Sequence, residues 1–255
     1  MHPEAMTHAR LFFETYLAGT HNPTVVEIGS QNVNGSLREV APANCTYVGV
    51  DFVPGNGVDI VLQDPYKLPF EDNYADAIVT SSCFEHCQFF WITFLEAMRI
   101  VKPDGLIYIN VPSAGIYHRY PTDNWRFYPD AGIALNDWAK ISGYRSSLLE
   151  SFIGWQNQTV SNDFVAVFLK DRSFAHRHEH RMCKQALNPT NIFLNDATTP
   201  DRRAPIAQDE RRWTFLHEGL RSIIVTAAQQ DLSGDFEAQR LVEALVQLLN
   251  HIRTV

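Results

Sequence analysis

The stretch "IYHRYPTDNWRFYPD", residues 116 to 130, is the richest concentration of reactive side chains in this sequence. It carries His118, Arg119, Tyr120, Asp123, Trp125, Arg126 and Tyr128. A histidine titrates near neutral pH and can take a proton from an attacking hydroxyl. Two arginines and an acid can clamp a phosphate, a carboxylate or a sugar, and Tyr120 and Trp125 offer walls for stacking. The plainer alternative is that Asp123 and Arg126, three apart, only brace their own loop. A second histidine, His86 in "FEHC", is the other candidate general base.

A different chemistry is suggested by "VVEIGSQNVNGS", residues 25 to 36, a β-branched run that opens into a loop with Gly29 and Gly35. In doubly wound folds such loops hold a cofactor at the carboxyl ends of the strands. The dinucleotide fingerprint needs glycines where Gln31 and Asn34 stand. A side chain at Gln31 would enter the space of a pyrophosphate, which argues against NAD or FAD and leaves a cofactor with ribose and adenine but no phosphate. Three acids fall at strand ends: Glu27 in the first, Asp51 closing the second and Asp64 after the third. Asp51 suits the two hydroxyls of a ribose. Alternatively, Glu27 could simply bond nearby backbone amides and Asp51 could cap a turn.

The elements that would position these residues follow from hydrophobic periodicity. An amphipathic helix is expected over about 4 to 18, then strands over 24–28, 46–51, 58–62, 75–81 and 105–112. Between the last two lies a helix, "QFFWITFLEAMRIVKPDG", which Pro103 and Gly105 are expected to end. A further helix is read over 129–144. The runs 145–155 and 163–171 form a hairpin joined by a polar turn around Asn157 to Asn162. This predicts an α/β, Rossmann-like doubly wound sheet of seven strands, mostly parallel, with a C-terminal antiparallel hairpin. From Arg172 the chain turns polar and is broken by Pro189, Pro200 and Pro205, before amphipathic helices at about 207–229 and 235–253. Residues 1–171 are therefore assigned to one domain, and 172–255 to a linker with a C-terminal helical hairpin.

Bulk properties narrow the field further. With 45% hydrophobic and 20% charged residues, 255 residues form an ordinary globular chain. No run approaches the ~18 apolar residues of a membrane span. The start, Met1 to Arg10, does not read as a secretory signal. The net charge of −8 disfavours nucleic acid as a partner. Cys45, Cys83, Cys87 and Cys183 show no disulfide spacing and point to a cytoplasmic protein with reduced thiols. Cys83, His86 and Cys87 share one helical turn, and His176, His178 and His180 would share a face of an extended segment. Neither set makes a convincing zinc site, and no metal is expected.

Taken in order, "VVEIGSQNVNGSLR", "YVGVDFVPGNGVDIVLQDPYKLPFEDNYADAIVTSSCFEHC", "EAMRIVKPDGLIYINVPS" and the later "YHRYPTDNWRF" resemble the class I S-adenosylmethionine-dependent methyltransferases, over roughly residues 20 to 170. The resemblance implies S-adenosyl-L-methionine as cofactor and S-adenosyl-L-homocysteine as product. It sets Glu27 and Gly29 under the methionine part, with Ser30, Gln31, Asn34 and Gly35 in the same loop. It sets Asp51 at the ribose, Phe52 beside the adenine, and Asp64, with Gln63, at the adenine amino group. Ser81, Ser82 and Phe84 would run beside the cofactor. Gln31 departs from the glycine common in relatives and leaves the methionine end open. The implied reaction is O-methylation of a small molecule, a saccharide or a phosphorylated metabolite. His118 or His86 would be the base, with Arg119, Tyr120, Asp123, Trp125 and Arg126 toward the acceptor. The alternatives are N-methylation of a protein or nucleic acid, or a non-catalytic scaffold that binds the cofactor. The C-terminal helices are a candidate homodimer surface.

Overall fold

The first strand, β1 (Thr24–Ile28), is almost wholly buried, as expected of a β-branched run covered on both faces. The computed structural model describes residues 2–155, 162–204, 216, 218–225, 239, 240 and 242–247. β1 pairs in parallel with β2 (Thr46–Asp51) on one side and β4 (Ala75–Ser81) on the other. The short β3 (Ile60–Val61) extends the sheet beyond β2, and β5 (Val101–Pro112) lies beside β4. β6 (Ser147–Ile153) and β7 (Asp163–Leu169) form the expected antiparallel hairpin, and β7 inserts between β5 and β6. The polar turn foreseen between them lies largely outside the described residues.

Among the described residues the sheet has eight strands rather than seven, in the order β3-β2-β1-β4-β5-β7-β6-β8. The added strand, β8 (Thr190–Leu194), runs antiparallel to β6 within the stretch expected to be a linker. Its apolar core, Ile192 and Phe193, is buried, and Asp196 fastens its end. That carboxylate accepts from Ser147 Oγ, the Leu148 amide and Asn136 Nδ2 at 2.9, 2.9 and 2.6 Å. The linker expected from residue 172 thus belongs, up to Ala204, to the first compact unit, Met1–Ala204. Composition hid this because so few apolar residues mark the strand.

Alternation along the strands divides the core into two layers. Val26, Ile28, Ile78, Ile107, Ile109 and Phe168 pack with α2 (Phe90–Ile100) and α3 (Ala131–Ile141) on one face. Val25, Ala77, Val79, Tyr108 and Val167 meet α1 (Pro3–Phe12) on the other. Pro3 opens α1 at a position where no amide hydrogen bond is lost. The helix then loosens into a π-turn over Phe13–Leu17, which keeps Phe13, Tyr16 and Leu17 buried.

α2 stops at Ile100, earlier than Pro103 and Gly105 suggest, because both of those residues lie in β5. A bulge in the β4–β5 pairing brings the Asp76 carbonyl 2.7 Å from where a Cβ on Gly105 would sit. The glycine therefore serves a close backbone approach rather than a helix stop. Pro205–Val255 forms a second compact unit, in which 218–225 and 242–247 are helical. Most of the helical hairpin foreseen over 207–229 and 235–253 lies outside the described residues.

Candidate functional site

The carboxyl ends of β1, β2, β4 and β5 lie along one rim of the parallel half of the sheet, and most of the sequence-predicted residues follow them. The loop after β5 is laid along the segment after β4 by backbone bonds. The amides of Asn124 and Trp125 both donate to the Glu85 carbonyl, at 2.7 and 3.2 Å. The His86 carbonyl accepts from Thr122 Oγ1 at 3.0 Å and Asn124 Nδ2 at 2.9 Å, and Trp125 Nε1 donates to the Cys87 carbonyl at 3.0 Å.

Asp123 and Arg126 form a two-pronged ion pair at 2.6 and 2.7 Å, and Asp123 also accepts from the His118 amide at 2.6 Å. The Arg126 guanidinium holds this carboxyl down at about 2. Arg126 donates further to the Ile116 and Trp125 carbonyls. This pair braces its loop, the plainer of its two readings. Arg119, Tyr120 and Trp125 are exposed on the same loop. Trp125 also packs edge-on against Phe90 and Trp91, 5.6 and 5.7 Å between ring centres.

The two candidate bases meet edge to face, with ring centres 5.1 Å apart. His86 Nδ1 faces the Thr122 carbonyl and must donate to it, which leaves the lone pair on Nε2. Burial pushes the His86 pKa down, and the Thr122 carbonyl offsets this in part. The ring is therefore neutral at physiological pH, as a general base needs to be. His118 is more exposed, and its Nδ1 lies 3.1 Å from the Ile116 carbonyl. Beneath them lies Glu85, which the sequence reading named only as part of "FEHC" and gave no role. It is 1% exposed, and one of its oxygens, Oε1, lies 3.8 Å from His86 Nε2. The other, Oε2, has no hydrogen-bond partner. Burial raises its pKa to about 8. No sequence signal marks it, because its burial and its unpaired oxygen arise only in the fold.

At the cofactor loop, each residue has a visible local task. Glu27 is buried and accepts from the Tyr47 hydroxyl at 2.8 Å, and desolvation raises its pKa to about 7. Gly29 has φ +79°, and a Cβ there would lie 2.6 Å from the Cys83 side chain. Its glycine is thus required by packing against the β4 loop. The Gly35 amide donates to Asn32 Oδ1 at 2.9 Å, and Asn34 is exposed. The carboxylate of Asp51 accepts from the Gln31 and Val53 amides, both at 3.2 Å. Gln31 reaches across the rim, where its Oε1 accepts from the Tyr120 hydroxyl at 2.9 Å. Residues 53–58 lie against this loop, and the Asn56 carbonyl accepts from the Asn32 amide at 2.8 Å.

Phe52 is half-exposed beyond β2. Gln63 and Asp64 are exposed, and Asp64 caps a turn through the Tyr66 amide at 2.9 Å. Ser81 is buried at the end of β4, and Ser82 is exposed with φ +49°. Phe84 does not join the rim, because its side chain is fully buried in the core beside Phe90.

The side chains fit a ribose-bearing cofactor in two respects. Each Asp51 oxygen accepts one amide and keeps a lone pair for a diol. Ser30 Oγ and Ser81 Oγ, at the ends of β1 and β4, are buried without a hydrogen-bond partner. A shallow cleft lined by Phe13, Leu17, Val40 and Pro42 lies instead at the amino ends of β1 and β2. Among the described residues, neither the Cys83, His86 and Cys87 set nor the three histidines His176, His178 and His180 gather as a metal-ligand cluster. Cys87 Sγ contacts Thr93 Oγ1 at 3.4 Å, while His176 bonds the Ser173 carbonyl. Residues 172–177 form a 3₁₀ turn, which removes the extended alternation expected of His176, His178 and His180.

Residues 26–109 match the model of a methyltransferase domain. Among solved structures, the chain is similar to 1,6-didemethyltoxoflavin-N1-methyltransferase of Burkholderia thailandensis, which holds 1,6-didemethyltoxoflavin and S-adenosylhomocysteine. Identity is 14%, over 66% of this chain and 80% of that one, with a TM-score of 0.51. A putative S-adenosyl-L-methionine-dependent methyltransferase of Methanococcus maripaludis is 18% identical over 66% of this chain and 85% of its own, with a TM-score of 0.45. No curated protein matches the sequence. At such identities the structural likeness speaks for the Rossmann-like methyltransferase fold alone. The domain match makes the chain a methyltransferase, and S-adenosylmethionine is its cofactor. Among the described residues, no helix is long and apolar enough to cross a membrane.

Proposed function

We propose that this S-adenosylmethionine-dependent methyltransferase acts in the cytoplasm on a hydroxyl of a small acceptor, a saccharide or a phosphorylated metabolite. The observation that carries the reading is the paired His86 and His118, on segments cross-linked over the carboxyl rim, with His86 held neutral and its Nε2 lone pair available. Asp51 would hold the ribose hydroxyls, with Ser30, Gln31, Ser81 and Ser82 along the methionyl side and Phe52 and Asp64 toward the adenine. When bound, S-adenosylmethionine supplies an electrophilic methyl group. Transfer needs an acceptor lone pair held in line behind that carbon, so positioning does much of the work. An imidazole at His86 or His118 would take the hydroxyl proton, while exposed Arg119, Tyr120 and Trp125 would orient the acceptor.

Methylation of a nucleic acid gains no support from a chain of net charge −8. Exposed Leu216, Ile223, Val225 and Val246 in the second unit support self-association as part of the same reading. The test has two arms. Calorimetry with S-adenosylhomocysteine should show saturable binding, weakened at least about tenfold by Asp51→Ala, roughly the worth of one hydrogen bond to a charged group. A screen of hydroxylated acceptors, read by S-adenosylhomocysteine release, should then find turnover. Binding without turnover on any hydroxyl, together with turnover on an amine, would overturn the oxygen assignment.

A further inference from the structure

We propose that Glu85, His86 and His118 form a binding site for a divalent transition-metal ion of the zinc type at the acceptor side of the rim. One ligand atom from each of these residues lies within 4.8 Å of the other two. Two imidazoles and one carboxylate are the donor set that borderline ions such as Zn²⁺ favour, with further positions left for water or substrate. The sequence alone pointed to no metal, because it paired His86 with cysteines that face elsewhere.

Two independent features point to a ligand rather than a chance cluster. Both imidazoles direct Nδ1 to a backbone carbonyl, His86 to that of Thr122 and His118 to that of Ile116 at 3.1 Å. Such a bond orients a metal-binding histidine, and at His86 it leaves Nε2 as the donor. His118 Nδ1 also faces Arg126 Nη2 at 3.4 Å, so its bond to the Ile116 carbonyl orients the ring without fixing its tautomer. The second feature is Glu85, a carboxyl group 1% exposed whose Oε2 has no hydrogen-bond partner. A buried polar group with an orphan oxygen is costly unless something supplies the missing bond. Arg126 is the neighbouring positive group, but it is paired with Asp123 at 2.6 and 2.7 Å.

Ligand atoms around a tetrahedral Zn²⁺ lie about 3.3 Å apart, given bonds of about 2.0 Å. The site therefore has to contract, and His118, 48% exposed at its side chain, can move to close it. On binding, Glu85 would release any proton it holds to solvent. An acceptor hydroxyl at an open position of the ion would become more acidic, its proton also passing to solvent. The imidazoles would then act as ligands rather than bases.

The test measures metal rather than turnover, so it can fail while the hydroxyl-acceptor reading stands, and the reverse. Tag-free protein stripped with chelator is titrated with Zn²⁺ by calorimetry, and with Co²⁺ for the visible bands of a low-symmetry site. One equivalent should bind. His118→Ala and Glu85→Gln should each weaken binding at least about tenfold, the lower end of what loss of even an orienting partner costs. The triple change His176→Ala, His178→Ala and His180→Ala should leave the stoichiometry at one. S-adenosylhomocysteine binding by each variant reports that it has folded. No saturable binding by the wild type, or full binding by His118→Ala and Glu85→Gln, would overturn the proposal.

Discussion

Glu85 and Glu150 are both buried glutamates, and they live in opposite circumstances. Glu150, in β6, is 0% exposed, yet both of its oxygens are satisfied. Oε1 accepts from the Tyr16 hydroxyl at 2.5 Å and the Met182 amide at 2.8 Å, and Oε2 from the Cys183 amide at 2.9 Å. Glu85 is as deeply buried, but Oε2 has no bond and its neighbours include a histidine that carries a lone pair. A saturated buried acid serves the architecture, because its hydrogen bonds offset the loss of water. An unsaturated one at a rim of strand ends marks where chemistry is to be sought.

The contrast can be broken most severely at Glu150. Replacing it by alanine strands three buried donors, each costing about 1–3 kcal/mol, so a loss of roughly 3 kcal/mol or more is expected in urea unfolding. A loss below about 1 kcal/mol would mean that the cluster is incidental. Glu85→Gln should act in the opposite sense in metal-free protein. Its carboxyl is neutral in the fold up to about pH 8, whereas the unfolded chain ionises near 4.5. The folded state binds more protons between these values, so wild-type stability should fall as pH rises through that window. The glutamine variant should lack this slope and gain on the order of 1–3 kcal/mol at pH 8. Equal slopes in the two proteins would show that Glu85 ionises freely. Smallest is Tyr120→Phe, which removes the bond to Gln31 and should leave stability within about 0.5 kcal/mol. If the two loops cooperate, acceptor KM should change by a few-fold while S-adenosylhomocysteine affinity moves less.

The parallel half of the sheet was legible because its strands are short runs rich in β-branched residues, as in "TVVEI" and "ADAIVTS". The strand-end acids were equally plain, since Asp51 does close β2. β8 was not. Its apolar residues sit between asparagines, Pro189 and Asp196, and only pairing with β6 makes a strand of them. The role of Gln31 was also beyond reach, because its partner, Tyr120, is 89 residues away. Phe84 misled for a related reason. Adjacency to Ser82 says nothing about which way a side chain turns after a residue with φ +49°. Glu85 was missed because a buried, unpartnered oxygen is a property of the assembled rim and leaves no mark on spacing.

The three bonds on Glu150 have a consequence for how the chain is made. Tyr16 lies near the start of the chain, while Met182 and Cys183 come after all seven earlier strands. During synthesis, the acid on β6 emerges more than thirty residues before its last two donors. Until residue 183 leaves the ribosome, β6 cannot be sealed without leaving oxygens of Glu150 unpaired, so the antiparallel edge is closed late. A nascent chain halted at residue 171 would carry every strand-end acid of the cofactor rim and still leave that edge open.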